Sequence, residues 1–543
     1  MSTSASSTAP GLDFDVAIVG YGPVGQALAA LLGRAGHRVG VFERFKEIYR
    51  LPRAVHLDHE IMRLLQSLGL AEVLAEEMIP VRDYQWFGAD GELLMRFQTH
   101  GPAASGWESD YMFFQPELER AIDRHACGLP TVSVERGWEA VGLVDRNVGV
   151  ELTLRRVEEE AGRLALTGDT RMVRARWLVG ADGANSFVRE ASGIGRHDLG
   201  FQERWLVVDA EPHDMDALAH LPIASQRCEP KRPTTVVQSG PRHRRWEFML
   251  LPGEQPSDFE DPDRVWPLLE PWYGPEDGPL SRSTVYEFRS MLADQMRKGH
   301  VLLVGDAAHL TPPFLGQGLC SGLRDGANVA WKLDLVLRNL ASEQLLDTVD
   351  PERQPQNDAV IRLAVELGKV LCQLDPQAAA ERDAMLRQAE PPPPPELPPL
   401  SGGALHRPGD HDPDRLAGKL SVQGVVARAE REGRFDDLVG QGFQLIVADG
   451  DPLEQLASEH RALITLLDVT VAALDPHGPQ GVRDVDGRLT AWLSEHGTYA
   501  VLVRPDFYVF GSASSPEQLP ALLDDLRSQL HLTSTPATSG ALA

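Results

Sequence analysis

The chain has 543 residues, 42% of them apolar and 24% charged, the balance of a globular protein. At roughly 150 residues per domain, about three domains are expected. Its formal net charge of −27 at pH 7 argues against nucleic acid or an anionic membrane as partner, because either would repel it. The four cysteines, Cys127, Cys228, Cys320 and Cys372, form no C-x-x-C pair, and no His/Cys cluster has metal-ligand spacing. Ordinary thiols in a reducing compartment, and no metal centre, are therefore expected.

Residues 1–12 are rich in Ser, Thr and Ala, lack the basic and apolar regions of a signal peptide, and read as a disordered tail. Apolar stretches along the chain are broken by Gly, Arg and Asp short of a membrane span, so a cytoplasmic protein is expected. From Phe14 to Glu43 the pattern is strand, glycine turn, helix, strand. The turn is Gly20-Tyr-Gly22-Pro23-Val24-Gly25, and Glu43 closes the second strand about 20 residues on. Glycines there admit a pyrophosphate to the backbone and the helix N-terminus, while the acid accepts hydrogen bonds from a ribose. This predicts a dinucleotide site but does not choose between FAD and NAD.

A helix is expected around Asp58 to Leu68, then short strands and loops from about Asp83 to Ala175, with a helix over Gln115 to Ala126. Trp177 to Gly180 reads as a buried strand, followed at once by Ala-Asp182-Gly183. Between about Leu199 and Phe288 the β-formers predict a largely antiparallel layer inserted into the first domain. His300 to Val304 returns to a buried strand and leads into Gly305-Asp306-Ala-Ala-His309. Next come Pro312-Pro313-Phe314-Leu-Gly316-Gln317-Gly318-Leu319 and a helix to about Leu340, whose N-terminus would favour negative charge on a ligand. More helix is expected over Glu352 to Leu374. The proline run Pro391 to Pro395 predicts a stiff linker, and a smaller α/β module follows it.

These three motifs in this order resemble the single-component (class A) flavoprotein aromatic hydroxylases over roughly Phe14 to Leu374. A narrower resemblance, to 3-(3-hydroxyphenyl)propionate and 3-hydroxycinnamate hydroxylases, rests on Arg245-Trp-Glu-Phe-Met-Leu-Leu-Pro252, Arg324-Asp-Gly-Ala-Asn328 and Val503-Arg-Pro-Asp-Phe-Tyr-Val-Phe-Gly511. The resemblance implies an α/β fold with three parts. A Rossmann-like FAD-binding domain would cover 13–82, 100–198 and 289–375, and a β-sheet substrate domain 83–99 and 199–288. A Pro-rich linker over 376–402 would lead to a thioredoxin-like domain over 403–543. That domain has no cysteine beyond Cys372, so a dithiol reaction is excluded and a structural or oligomer-contact role is expected. A homodimer is the assembly left open.

The same resemblance implies an FAD site of Gly20, Gly22, Pro23, Val24, Gly25, Glu43 and Arg44. To these it adds Arg53, Gln115, Asp182, Asp306, Pro313, Gly316, Gln317, Gly318 and Leu319. It implies a monooxygenase in which NADH or NADPH reduces FAD and O2 adds at the flavin C4a, one oxygen then passing to a phenolic ring ortho to its hydroxyl. The partners are thus a small phenol, NAD(P)H and O2. His309 is the candidate catalytic base, weighed against a role in fixing its own loop; His56 and Tyr111 are weaker candidates. The alternatives are a same-fold flavin monooxygenase tailoring a polyketide, an NAD-dependent dehydrogenase using the first motif alone, and a non-catalytic binding protein.

Overall fold

The run Phe14–Val19 is apolar enough to be buried on both faces, and in the computed structural model it is the centre of a parallel sheet. The model describes residues 11–48, 51–160, 163–389, 397–407, 414–454 and 456–533. Phe14–Val19 pairs in parallel with Val39–Glu43 on one side and the end of Arg163–Gly180 on the other. Val301–Leu303 pairs beyond the latter and Val132–Arg136 beyond Val39–Glu43. The carboxyl ends Val19, Gly180 and Leu303 lie side by side in this register. The glycine turn, the Asp182 loop and the Asp306 loop therefore leave one edge together, which is where an open α/β sheet binds ligands.

A second sheet of eight strands lies beside the first. Its central strands are Leu280–Ala293, Arg196–Ala210, Arg244–Met249 and Thr234–Gln238, all antiparallel neighbours. One face buries Leu206, Val208, Val236, Trp246 and Phe248 with the helix Pro262–Leu269 and Tyr273. On the other face, Trp205 and Met249 share a cluster with Phe314. The sheet takes in Asp83–Phe87 and Leu93–Gln98, and its later part runs from Arg196 to Ala293 and adds His309–Leu310, so that part reaches past the expected 199–288.

The expected linker over 376–402 is corrected in its first half. Pro376–Gln388 is a helix whose N-cap, Asp375, accepts the Ala378 N–H, and Arg382 is buried against the Cys228 and Val370 carbonyls. Asp before Pro is a helix-start signal that the nearby proline run outweighed in the sequence. Pro391 to Pro395 lie outside the described residues.

Beyond this, Thr470–Ala473, Gln444–Val447, Ala500–Val503 and Val509–Ala513 form a four-stranded sheet, parallel in the first pair and antiparallel in the others. Helices Ser458–Leu466 and Leu519–Gln529 cover one face and Arg488–Glu495 the other. This module is fastened to the rest by buried charge. Arg63 donates to both oxygens of Asp436, at 2.6 and 3.0 Å, and Arg504 reaches Glu352 at 2.7 Å. Asp506 accepts from Asn328 and Trp331, each at 3.0 Å. Among the described residues no helix is long and apolar enough to cross a membrane.

Candidate active site

The glycine turn sets how closely the backbones approach. Gly20 has φ +97°, and a Cβ on it would stand 2.3 Å from the Ala181 carbonyl oxygen. A Cβ on Gly25 would stand 2.3 Å from the Gly20 carbonyl oxygen. These two let the strand end, the helix Pro23–Arg34 and the Asp182 loop pack backbone to backbone. Gly22 differs: a Cβ there would meet nothing within 4 Å. It is the N-cap of the helix, with φ −74° and no side chain capping the first turn. The helix end thus opens onto space bounded by backbone, which has the shape and polarity a pyrophosphate requires. Pro23 occupies the first turn, and Val24 points inward against Gly305 and Gly322 of the neighbouring elements.

Glu43 is held at its strand end by accepting the Tyr21 and Phe45 N–H groups at 2.8 and 2.9 Å. Arg44 is half exposed beside it, 3.7 Å from Glu139. The Arg53 loop is fixed by Gln115, whose amide oxygen accepts the N–H groups of Arg53 and Ala54 at 2.8 and 2.7 Å. The Gln115 amide nitrogen donates to Glu119, whose carboxyl burial pushes up to about 7. Gln115 therefore acts mainly by shaping the loop that carries Arg53. Asp182 uses its carboxylate locally, accepting from Ser186 Oγ and the Val188 N–H at the start of the short helix Phe187–Ala191. Asp306 is different again. Its side chain is exposed, yet protein crowds it closely enough that desolvation raises its carboxyl, against the pull of His309 and Arg53. A carboxylate that is exposed yet partly desolvated at a strand end suits a ligand's hydroxyl groups.

Pro313 begins a tight turn that ends at Gly316, with φ +66°. A Cβ on Gly316 would stand 2.6 Å from His56 Nδ1, so glycine is required on both counts. Gly318 opens the helix Gly318–Leu337, which no side chain caps, and Leu319 follows in its first turn. Gln317 is turned into the protein, donating to Asp58 at 3.0 Å and accepting from Arg324 at 2.9 Å. Arg324 is itself ion-paired with Asp58 and Glu60. Its contact with a flavin would be through the backbone. Phe314 inserts between the domains, edge-on to Phe201 and Trp205 at 5.5 and 5.7 Å. Gly368 lies under it, and a Cβ there would stand 2.6 Å from the Phe314 ring. Gly368→Ala is expected to cost about 1–3 kcal/mol by overpacking and to weaken FAD binding through this loop. Thermal unfolding of the apoprotein and an FAD titration check it.

Of the three candidate bases, His309 is 2% exposed and its Nε2 lies 2.6 Å from Asp325, which Arg353 also holds at 2.8 Å. Asp325 accepts the Gly305 N–H as well, so the pair fixes the turn that presents Asp306. That geometry favours the loop-fixing role weighed for His309 over that of a catalytic base. His56 bridges the Gly316 carbonyl and Asp110, at 3.2 and 2.8 Å. Tyr111 is 4% exposed and its hydroxyl accepts the Glu108 N–H. The sequence reading missed the Asp325–Arg353 anchor and the polar residues of the strand Arg244–Met249. Alternation along that strand is the signal that could have set Arg245 and Glu247 on one face, but not what they face.

The glycine turn, the open helix end and the exposed Asp306 fit FAD residue by residue. A family model described as FAD binding domain matches residues 13–364, and one described as HcaD C-terminal domain matches 418–529. The chain is 39% identical, over 94% of both chains, to a probable NADH-specific resorcinol 4-hydroxylase of Rhodococcus jostii (strain RHA1). It is 33% identical, over 91% of this chain and 92% of the relative, to a 3-(3-hydroxy-phenyl)propionate/3-hydroxycinnamic acid hydroxylase of Burkholderia vietnamiensis (strain G4 / LMG 22486).

The chain belongs to the FAD-dependent aromatic hydroxylases.

Solved structures agree on the fold of this hydroxylase. The flavin-dependent monooxygenase PieE matches at a TM-score of 0.77 and 22% identity, covering 96% of this chain and 100% of that one. Aklavinone-11 hydroxylase matches at 0.76 and 24%, covering 96% and 99%.

Proposed function

We propose that this FAD-dependent hydroxylase consumes NADH or NADPH and O2 and hydroxylates a phenol ortho to its hydroxyl group. A meta-substituted phenol is the substrate class. The names of its relatives support that class, since resorcinol and 3-(3-hydroxyphenyl)propionate both carry a second group meta to the phenol. The name of the first relative supports NADH in particular. One structural observation carries the reading: the loop Pro313–Gly318 faces a sheet surface that mixes aromatic and polar side chains, where a single ring with hydroxyl groups can lie.

Bound FAD supplies hydride acceptance and O2 activation, chemistry that no side chain offers. The protein's part is to bind, orient and enclose. The open end of the helix Pro23–Arg34, together with Glu43 and Arg53, would hold the adenosine diphosphate portion. Asp306 would take the ribityl hydroxyls, and the backbone from Pro313 to Leu319 would border the ring. His309, through Asp325, keeps the Asp306 turn in place. Phe201, Trp205 and Phe314 close one side of the cleft with apolar surface and keep water from the reacting atoms.

Nicotinamide oxidation by the purified holoenzyme tests the reading. Resorcinol or 3-(3-hydroxyphenyl)propionate is expected to accelerate it and to gain one oxygen. A flavin-loaded enzyme that neither compound stimulates would overturn the substrate class.

A further inference from the structure

The strand Arg244–Met249 spans the gap between the two loops proposed to border FAD, and one of its carboxylates, Glu247, has Arg245 at 3.5 Å as its nearest cation. Arg245, Glu247 and Met249 alternate onto one face, with Trp205, Val207 and Asp209 beside them in register. At one end of this row Arg245 donates to the carbonyls of Pro52 and Arg53, at 2.5 and 2.8 Å, and so touches the Arg53 loop. At the other end Met249 and Trp205 pack with Phe314 of the Pro313–Gly316 turn. Glu247 lies between them, over the space these two loops enclose.

Its neighbours differ from it in accessibility. Arg245 and Asp209 form a pair at 2.7 Å that Arg282 joins, and all three side chains are at most 2% exposed. Glu247 keeps 11% exposure, and its nearest cation is Arg245 at 3.5 Å. The surface that a ligand meets here is thus a carboxyl group, with the guanidinium groups behind it. Tyr84, Gln226 and Thr235 border it on the same face; Thr235 donates to Gln226 at 2.7 Å, and Thr235 is directly opposite Glu247 in the register.

Resting on the functional reading above, we propose that Glu247 is the base that accepts the proton of the substrate's phenolic hydroxyl. The phenolic O–H bond breaks, an O–H bond forms on the Glu247 carboxylate, and the negative charge passes to the ring oxygen, which makes the ring electron-rich. When the hydroxylated ring regains aromaticity its C–H bond breaks and that proton passes to water, while the O–H bond on Glu247 breaks and its proton returns to the phenol oxygen. Burial raises the Glu247 carboxyl above the usual carboxylate range, with Asp209 acting the same way and Arg245 and Arg282 opposing. Tyr84, whose hydroxyl is raised by burial, is a further titratable group near it, and Tyr286 acts on the same cluster through Arg245. A raised carboxyl is a better match to a weakly acidic phenol. Because the base must be ionised, activity is present above its folded-state value and lost as pH falls through it. The acid limb of kcat/KM is therefore expected above the ordinary glutamate value of about 4.3.

Glu247→Gln keeps the shape and is expected to retain bound FAD. Its kcat/KM for an unactivated phenol is expected to fall about 10²–10⁴-fold at neutral pH. The acid limb should disappear, and the loss should shrink for ring-fluorinated, more acidic phenols. A readout independent of turnover uses a nitrophenol as ligand. Between the acid limb and the nitrophenol's solution pKa, it should bind the wild-type holoenzyme with a phenolate absorption that does not vary with pH, since the proton stays in the complex. In the variant that absorption should follow the pH of the buffer. A wild-type complex without a pH-independent phenolate fraction overturns the proposal, even if the variant proves unstable. So does a variant within threefold of wild type, or a loss equal for all phenols. If the wild type hydroxylates no phenol at all, the functional reading itself fails.

Discussion

Gly22→Val is expected to fold normally and to lose its flavin. A side chain at Gly22 meets nothing within 4 Å, and the backbone φ of −74° suits any residue, so the protein alone has no reason to reject it. The cost to the apoprotein is that of a poorer N-cap, about 0.5–1 kcal/mol. The space it fills, however, is where a pyrophosphate must meet the backbone N–H groups of the helix Pro23–Arg34. Losing even two charge-assisted hydrogen bonds, each worth about 1.5–3 kcal/mol, predicts at least about a 100-fold loss of FAD affinity. Gly25→Ala supplies the contrast. Its Cβ would collide with the Gly20 carbonyl oxygen at 2.3 Å, so the apoprotein itself should be destabilised. Apoprotein melting and FAD titration of both variants separate the two causes. A Gly22→Val enzyme that keeps wild-type flavin affinity would remove the glycine turn from the binding site.

Glu352→Ala is expected to destabilise the chain by about 3–5 kcal/mol. Glu352 is fully buried between Lys332 at 2.9 Å and Arg504 at 2.7 Å, and its other oxygen accepts the Ala404 N–H. Removing it leaves the buried Lys332 without its carboxylate and Arg504 with Asp506 alone, and breaking a buried pair costs about that much. Desolvation pushes the Glu352 carboxyl up, but Arg504 and Lys332 prevail and hold it down to about 2. The folded-state value is thus below the unfolded one. Its stabilisation is complete above the ordinary glutamate value of about 4.3 and is lost as pH falls toward 2. Urea unfolding at pH 7 should therefore separate wild type from variant widely, and at pH 3 much less. A difference below about 1 kcal/mol at pH 7 would contradict the account of how the C-terminal module is held.

That cluster also accounts for the motif Val503 to Gly511. Arg504 pairs with Glu352 and Asp506, while Asp506 accepts from Asn328 and Trp331 on the helix that begins beside the Pro313–Gly316 turn. The motif marks a docking contact, and the sequence could display it only as a resemblance because its partners lie more than 150 residues away.

What was legible in the chain was local. A buried strand, a glycine turn and an acid at the next strand end are consecutive, and each reports its own physics; likewise Gly316 and Asp306 announce themselves at strand and helix ends. Pairings over long separations were not legible. Period-two spacing is a signal that would set Arg245 and Glu247 on one face, but only the register with Trp205 and Asp209 and the contact with Phe314 show what that face meets. For His309 the sequence left two roles open. Its sequence position beside Asp306 suggested access to a ligand, whereas Asp325, 16 residues on, turns it into the core. The inward turn of the Gln317 side chain was not legible either, because its partner Asp58 is 259 residues distant.

The central claim is tested most directly by one assay on the purified, FAD-loaded protein. NADH oxidation is followed with and without resorcinol and 3-(3-hydroxyphenyl)propionate, and the products are weighed. The account predicts a flavin spectrum, faster oxidation with a phenol present, and a product heavier by one oxygen. A protein that takes up no FAD, or that oxidises NADH at the same rate with and without any phenol and leaves the phenol unchanged, would contradict it.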